Sequence, residues 1–253
     1  MLIWVLDSPA WLSLFYDSLW GKAVRPKVRI ISWNCNMAFR NKSDAILKHK
    51  PDLLILQECS KADIENSSAL FKHWVGNNPH KGLGVLGFTD HNFKVADNYN
   101  DTIHWAIPIE SDTVDVLAMW AHKDAGQTYV EGLLNALAHY DSLLRKDTGL
   151  FIGDMNNNVR WDRKTKKEWQ WATYIEELRK LDKHSVWHKT KGEEHGLESV
   201  STLFWYRQPE RGYHIDYVFG SETLIQNAKL EIGAHEDWLM HSDHVPLVLD
   251  INN

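Results

Sequence analysis

The sequence predicts an α+β fold, with mixed strands and a few helices gathered in one domain behind an N-terminal extension. Three observations carry this. Short apolar runs of strand length recur along the chain, from VRIISWN (Val28–Asn34) to the closing run at 245–251. Helical spacing is confined to a few segments, the clearest holding Leu133, Leu134, Leu137 and Leu144. No low-complexity tract or short repeat interrupts the order.

The first 20 residues are apolar, but they lack a basic start, and Asp7, Pro9 and Asp17 break the run. That argues against a signal peptide and a transmembrane helix. Trp11, Leu12, Phe15 and Leu19 lie near helical spacing and predict a helix docked on the domain. A partner-binding or membrane-surface segment is the second reading. Gly21 to Lys27 reads as a linker, so residues 1–27 form the extension and 28–253 the domain. A strand at 28–34 is followed by a helix at 43–49, with Ser43 as its cap, and a strand at 52–58. Further strands are expected at 83–88, 103–109, 114–121 and 149–152. Helices are expected at 128–144 and 168–181. Strands at 202–206, 213–219, 228–232 and 245–251 complete the order, with a hairpin turn at 207–212. Gly82, Gly84 and Gly87 match no phosphate-loop motif and read as turns and bulges.

The net charge of −6 argues against holding nucleic acid mainly by bulk positive charge. It suits a site that collects carboxylates around metal ions. The 13 Trp read first as packing and second as stacking surface. Two cysteines, Cys35 and Cys59, make no disulfide framework and point to a reducing compartment. With no signal peptide recognised, the cytoplasm is the expected location. Each cysteine follows a polar strand-end residue and should face away from it.

Polar clusters stand at the ends of the apolar strands: Ser32-Trp33-Asn34-Cys35-Asn36, Gln57-Glu58, Gly153-Asp154-Met155-Asn156, His214-Ile215-Asp216-Tyr217 and Ser242-Asp243-His244. Singly, each reads as a turn or a cap. Their repetition predicts phosphate-ester hydrolysis. Mg²⁺ or Mn²⁺ wants hard oxygen ligands, which Glu58 and Asp243 offer, with Asn34 beside them as a neutral ligand or orienting group. Asp154 can activate water, and Asn156 can donate its amide to a phosphate oxygen. His244, charged and oriented by Asp216, can donate to developing negative charge.

The stretches IISWNCN, PDLLILQEC, FIGDMNNN, YHIDYVFGS and SDHVPLVLDI, in this order, resemble the endonuclease/exonuclease/phosphatase superfamily, which includes exonuclease III-like and DNase I-like enzymes. The resemblance spans Val28 to Ile251. It implies a four-layer α/β/β/α sandwich of two mostly antiparallel sheets. It places Asn34, Glu58 and Asp243 at the metal site. Asp154 and Asn156 fall at the water-activating and phosphate-binding positions, with Asp216 and His244 as the Asp-His pair. The strand VLAMWAHKD offers His122 as a further phosphate-facing residue, with Trp120 as the competing alignment.

The run Arg160, Trp161, Arg163, Lys164, Lys166 and Lys167 reads as a solvated loop or as a phosphate track with Trp161 as a stacking surface. Arg207, Arg211 and His214 precede Asp216 and are weaker candidates for the same cleft. The expected substrate is a phosphate ester, with DNA and RNA the leading candidates under endonuclease or exonuclease action. A small-molecule phosphoester or a phospholipid head group is the alternative, and a binding module without activity the least favoured. No stable protein partner is inferred.

Overall fold

The computed structural model describes residues 28–123 and 127–252. The N-terminal extension and its expected helix lie outside them. The strands are β1 (Val28–Asn34), β2 (Leu53–Cys59), β3 (Phe71–Asn78), β4 (Lys81–Gly87), β5 (Lys94–Val95), β6 (Ala106–Glu110) and β7 (Asp115–Trp120). They continue as β8 (Gly149–Asp154), β9 (His184–Ser185), β10 (Leu203–Phe204), β11 (Gly212–Tyr213), β12 (Asp216–Gly220), β13 (Ala228–Ile232) and β14 (Leu247–Ile251). One six-stranded sheet runs β13-β14-β1-β2-β4-β3 and the other β5-β6-β7-β8-β12-β9, with β10 and β11 as a separate ribbon. Each large sheet has one parallel pair, β1 with β2 and β7 with β8; the other neighbours are antiparallel.

Alternation along each strand builds the layers. Val28, Ile30, Leu53 and Ile55 of the first sheet meet Ile107, Val116, Leu150 and Ile152 of the second in one buried core. The next residues, Ile31, Trp33, Leu54 and Leu56, face outward. They are covered by α1 (Ser43–Leu47), α2 (Lys61–Glu65) and a later turn carrying Trp238. The outer face of the second sheet, with Leu117, Met119, Phe151 and Phe219, is covered by α3 (Tyr129–His139), α4 (Asp141–Leu144) and α5 (Trp171–Lys180). The result is the four-layer α/β/β/α sandwich. Strands buried on both faces must read as near-continuous apolar runs, which is why β1, β2, β8 and β14 were conspicuous in the sequence.

Several local expectations are corrected. Ser43 is the first residue of α1; Lys42 occupies the cap position, and no side-chain cap bond forms. The helix expected at 128–144 is two helices, opened by a capping box between Thr128 and Glu131. Strand β3 was not anticipated. The expected strand at 202–206 shortens to Leu203–Phe204, because Tyr206 and Arg207 turn the chain at φ 55° and 58°, and the one expected at 213–219 divides into Gly212–Tyr213 and Asp216–Gly220. The hairpin expected with its turn at 207–212 forms with a longer connection, 205–211, pairing Leu203 with Tyr213 and Phe204 with Gly212. Gly82, Gly84 and Gly87 sit within β4, not in turns. At Gly82, a Cβ would lie 2.4 Å from the Trp74 ring and 2.4 Å from the Val75 carbonyl oxygen.

Most of the tryptophans among the described residues are structural. Trp33 and Trp171 are fully buried, and Trp105, Trp120, Trp187 and Trp238 are nearly so. Cys35 and Cys59 are free and buried. Burial pushes the Cys35 thiol up to about 12 and raises Cys59, so neither is nucleophilic at neutral pH. No helix among the described residues is long and apolar enough to cross a membrane.

The core between the sheets sets the stability. Ile55 is fully buried there, and Ile55→Ala is expected to cost about 2–5 kcal/mol in equilibrium urea unfolding. A loss below about 1 kcal/mol would contradict a close-packed interface between the sheets.

Candidate active site

The strand ends converge at one edge of the sandwich. β8 lies between β7 and β12, and the register sets Asp154 opposite both Trp120 and Asp216. Gly153 makes this possible. Its φ is 149°, and a Cβ there would lie 1.9 Å from the Met119 carbonyl oxygen of β7. Only glycine fits so close an approach between parallel neighbours.

Asp154 is fully buried. Its carboxylate accepts from Asn34 Nδ2 at 3.0 Å, the Asn156 backbone N–H at 3.0 Å and Asn156 Nδ2 at 3.2 Å. Asn156 takes φ 47°, which folds its side chain back onto this carboxylate. Its Nδ2 also donates to the Ala121 carbonyl at 3.0 Å. The amide is thus engaged within the protein. Asp216 accepts from His244 Nδ1 at 2.9 Å, with both side chains buried. The ligating atoms of Asp154, Asp216 and His244 lie within 4.8 Å of one another.

Burial opposes the His244 imidazolium, but the facing Asp216 and Asp154 carboxylates outweigh it and hold His244 up at about 10. Burial, then the Asp216 charge, pushes Asp154 up to about 7, against the pull of His244 and the Asn34 amide. With His244 Nδ1 committed to Asp216 and Asp154 beside it, the compact trio suits proton handling.

A second group of oxygens borders it. Glu58 sits on a β-bulge, where the β2–β4 register shifts between Gln57 and Cys59, and takes φ 59°. The bulge re-aims a side chain that strict alternation would have fixed. The Glu58 carboxylate pairs with Lys81 Nζ at 3.1 Å. Asn36 Nδ2 donates to Asp243 Oδ1 at 2.8 Å, and the Asn36 backbone N–H donates to Asn34 Oδ1 at 3.1 Å. The Met37 N–H donates to the Glu58 carbonyl at 3.1 Å. One loop, with Asn36, Met37 and Ala38 all at positive φ, thus ties Asn34, Glu58 and Asp243 together. Lys42 Nζ fastens it by donating to the carbonyls of Cys35 at 2.5 Å and His241 at 2.6 Å. Two carboxylates and an amide oxygen are the hard donors that a magnesium-like ion takes alongside water and phosphate, so this set fits such an ion.

Two grooves open beside these residues. One, of about 490 Å³, is lined by Asn36, Trp205, Tyr206, Arg207 and Asp243. The other, of about 530 Å³, includes Lys123, Tyr129, Asn156, Trp161, Trp169 and Trp205. Trp205 borders both and is half exposed. Trp161 packs on Tyr213 at a ring distance of 5.2 Å. His122 lies just past β7, against the Trp105 and Trp120 rings at 5.2 and 4.7 Å, while Trp120 itself is core.

Two weaker candidates remain. Arg163 is exposed on a short 3-10 turn. His214 is buried, bonds the Val200 carbonyl at 3.2 Å and packs against Tyr217 and His188. Burial and the neighbouring His188 lower it to about 4, leaving it neutral. Asn36 lies within the polar cluster Ser32–Asn36, but nothing local in the sequence marks Lys42 or Lys81 as neighbours of the site.

The fold and the family model that the chain matches indicate a hydrolase of phosphoric esters. The chain belongs to the Endonuclease/Exonuclease/phosphatase family, whose model matches residues 31–244. Solved structures share the fold at low identity. A 3′–5′ exonuclease from Neisseria meningitidis has a TM-score of 0.65 at 18% identity, covering 89% of this chain and 100% of its own. An AP endonuclease from Archaeoglobus fulgidus has a TM-score of 0.64 at 18% identity with the same coverage, 89% and 100%. An AP endonuclease from Leishmania major has a TM-score of 0.66 at 14% identity, covering 94% of this chain and 90% of its own. No curated protein matches the chain.

The Asp216–His244 pair has a direct spectroscopic consequence. In metal-free buffer, ¹⁵N NMR should find the His244 ring doubly protonated at neutral pH and titrating toward about 10. A raised folded-state value means the pair's stabilisation is complete below about pH 6.5 and is lost as pH rises toward 10. Asp216→Asn should bring the titration down into the ordinary histidine range; an unchanged midpoint would refute the pairing.

Proposed function

We propose that this chain is a Mg²⁺- or Mn²⁺-dependent phosphodiesterase of the nuclease type, with residues 28–253 as a single catalytic domain. The observation that carries the reading is the buried Asp154–Asp216–His244 trio beside two grooves lined by aromatic and basic side chains. Trp161, Trp169, Trp205 and Tyr206 are suited to stack on bases, which suits an acidic chain that cannot rely on bulk charge. A structural relative, a 3′ phosphatase from Neisseria, is described as bound to product DNA hairpin, and its TM-score here is 0.64 at 17% identity. That supports nucleic acid as the substrate class.

The proposed reaction is direct attack of water on phosphorus. Asp154 accepts a proton from the water. Asn34 and Asn156 hold its carboxylate in place. His244, with Nδ1 committed to Asp216, keeps Nε2 for donation to a phosphate or leaving-group oxygen. Glu58, Asn34 and Asp243 would hold the metal ion, which supplies positive charge to the phosphoryl oxygens as negative charge builds. His122 and Arg207 are proposed to face the substrate at the rim, with Trp161 as a stacking surface.

The test is turnover with Mg²⁺ or Mn²⁺ on single-stranded, duplex and abasic DNA, RNA, inositol phosphates and an aryl phosphodiester. Nucleic acid should be cleaved. Cleavage of the small esters alone would move the reading to a small-molecule or head-group phosphoesterase, and cleavage of none would remove it. Asp154→Asn and His244→Ala should each lower the rate by at least about a hundredfold. EDTA should abolish turnover, and activity that persists in EDTA would sink the metal-dependent mechanism.

A further inference from the structure

A second polar cluster lies on the opposite face of β12. Asp216 points to the reaction centre, and Tyr217, the next residue, points the other way. Its ring packs near His188 and His195, each at 6.1 Å. His188 comes from α6 (Val186–Lys191), and His195 and Glu198 come from the loop that follows. The ligating atoms of His188, His195 and Glu198 lie within 4.8 Å of one another.

The details favour an ion. His188 Nδ1 meets Ser185 Oγ at 2.7 Å, and the hydroxyl can fix the tautomer that leaves an Nε2 lone pair. That Nε2 lies 3.2 Å from Glu198 Oε1. The Glu198 side chain is only 4% exposed. Its Oε1 is oriented by the Gly196 N–H at 2.7 Å and Asn158 Nδ2 at 3.1 Å. His195 Nδ1 is buried without a hydrogen-bond partner. A buried polar atom left unpaired is costly, and a ligand removes the cost. A groove of about 350 Å³ that includes His184, His188, Glu193 and His195 gives a path from solvent.

We propose that His188, His195 and Glu198 form a second metal site, for a zinc-like divalent ion, separate from the reaction centre. Two imidazoles and one carboxylate are the donor set that zinc accepts with a further position open to water, and imidazole nitrogens are poor ligands for magnesium. The His188 and His195 rings lie nearly parallel with centroids 3.6 Å apart. A shared ion must lie in both ring planes, so binding turns His195 out of the stack. The site is tied to the chemistry through the chain. Asn158 Nδ2 also donates to the His214 carbonyl at 2.9 Å, joining the loop after Asn156 to the segment before Asp216.

Metal-stripped full-length protein should be titrated with Zn²⁺, and with Co²⁺ as a coloured probe. One equivalent should bind at micromolar Zn²⁺, raise the melting temperature and give visible Co²⁺ absorption. Glu58→Gln should retain that equivalent; His195→Ala should lose it together with the Zn²⁺-dependent melting shift. Without zinc, His195→Ala should match wild type in melting temperature and in Mg²⁺-supported turnover, which separates lost ligation from misfolding. No binding by wild type, or equal binding by His195→Ala, would overturn the site. The readout is metal binding, so the result is independent of whichever phosphate ester is cleaved.

Discussion

The Asn34–Asp154 hydrogen bond joins the two sheets at the place where chemistry is expected. Asn34 ends β1 of one sheet and Asp154 ends β8 of the other, and the amide donates to the carboxylate across 3.0 Å of buried space. An ionised carboxylate deep between sheets is unfavourable unless donors and countercharge meet it. Here the donors are two asparagines and the countercharge is His244, itself held by Asp216. The sandwich therefore does more than support the site. Each sheet supplies what the other sheet's charged group needs.

The same constraint explains the unusual backbone around the site. Glu58 at a bulge, Asn156 at positive φ and the left-handed run Asn36–Ala38 are conformations that side-chain-bearing residues avoid. Each redirects a polar side chain toward the strand ends and is held by specific bonds, including those from Lys42 and Asn36. Strain of this kind persists only where surrounding contacts over-determine it, and here those contacts belong to the candidate site.

Much of this was legible in the sequence, for physical reasons. Strands β1, β2, β8 and β14 are buried on both faces and so appear as apolar runs. Polar residues that end such runs stand out, and Asn34, Asp154, Asp216 and His244 were found that way and are brought together. Strand β3 escaped because its half-exposed sequence, FKHWVGNN, has no clean alternation. The break at Tyr206 and Arg207 escaped because neither residue advertises a left-handed conformation. The His188–His195–Glu198 cluster escaped because its members lie on a short helix and a loop, where no periodicity draws attention to them. His214 was drawn toward the phosphate by its closeness in sequence to Asp216, yet it faces that second cluster.

The most direct test of the central account is hydrolysis of the cleaved substrate in ¹⁸O-labelled water, with mass analysis of the products. Activation of water at Asp154 predicts one labelled oxygen in the phosphate of the product. Label recovered only in the alcohol product, or none in either after a single turnover, would contradict direct attack of water on phosphorus.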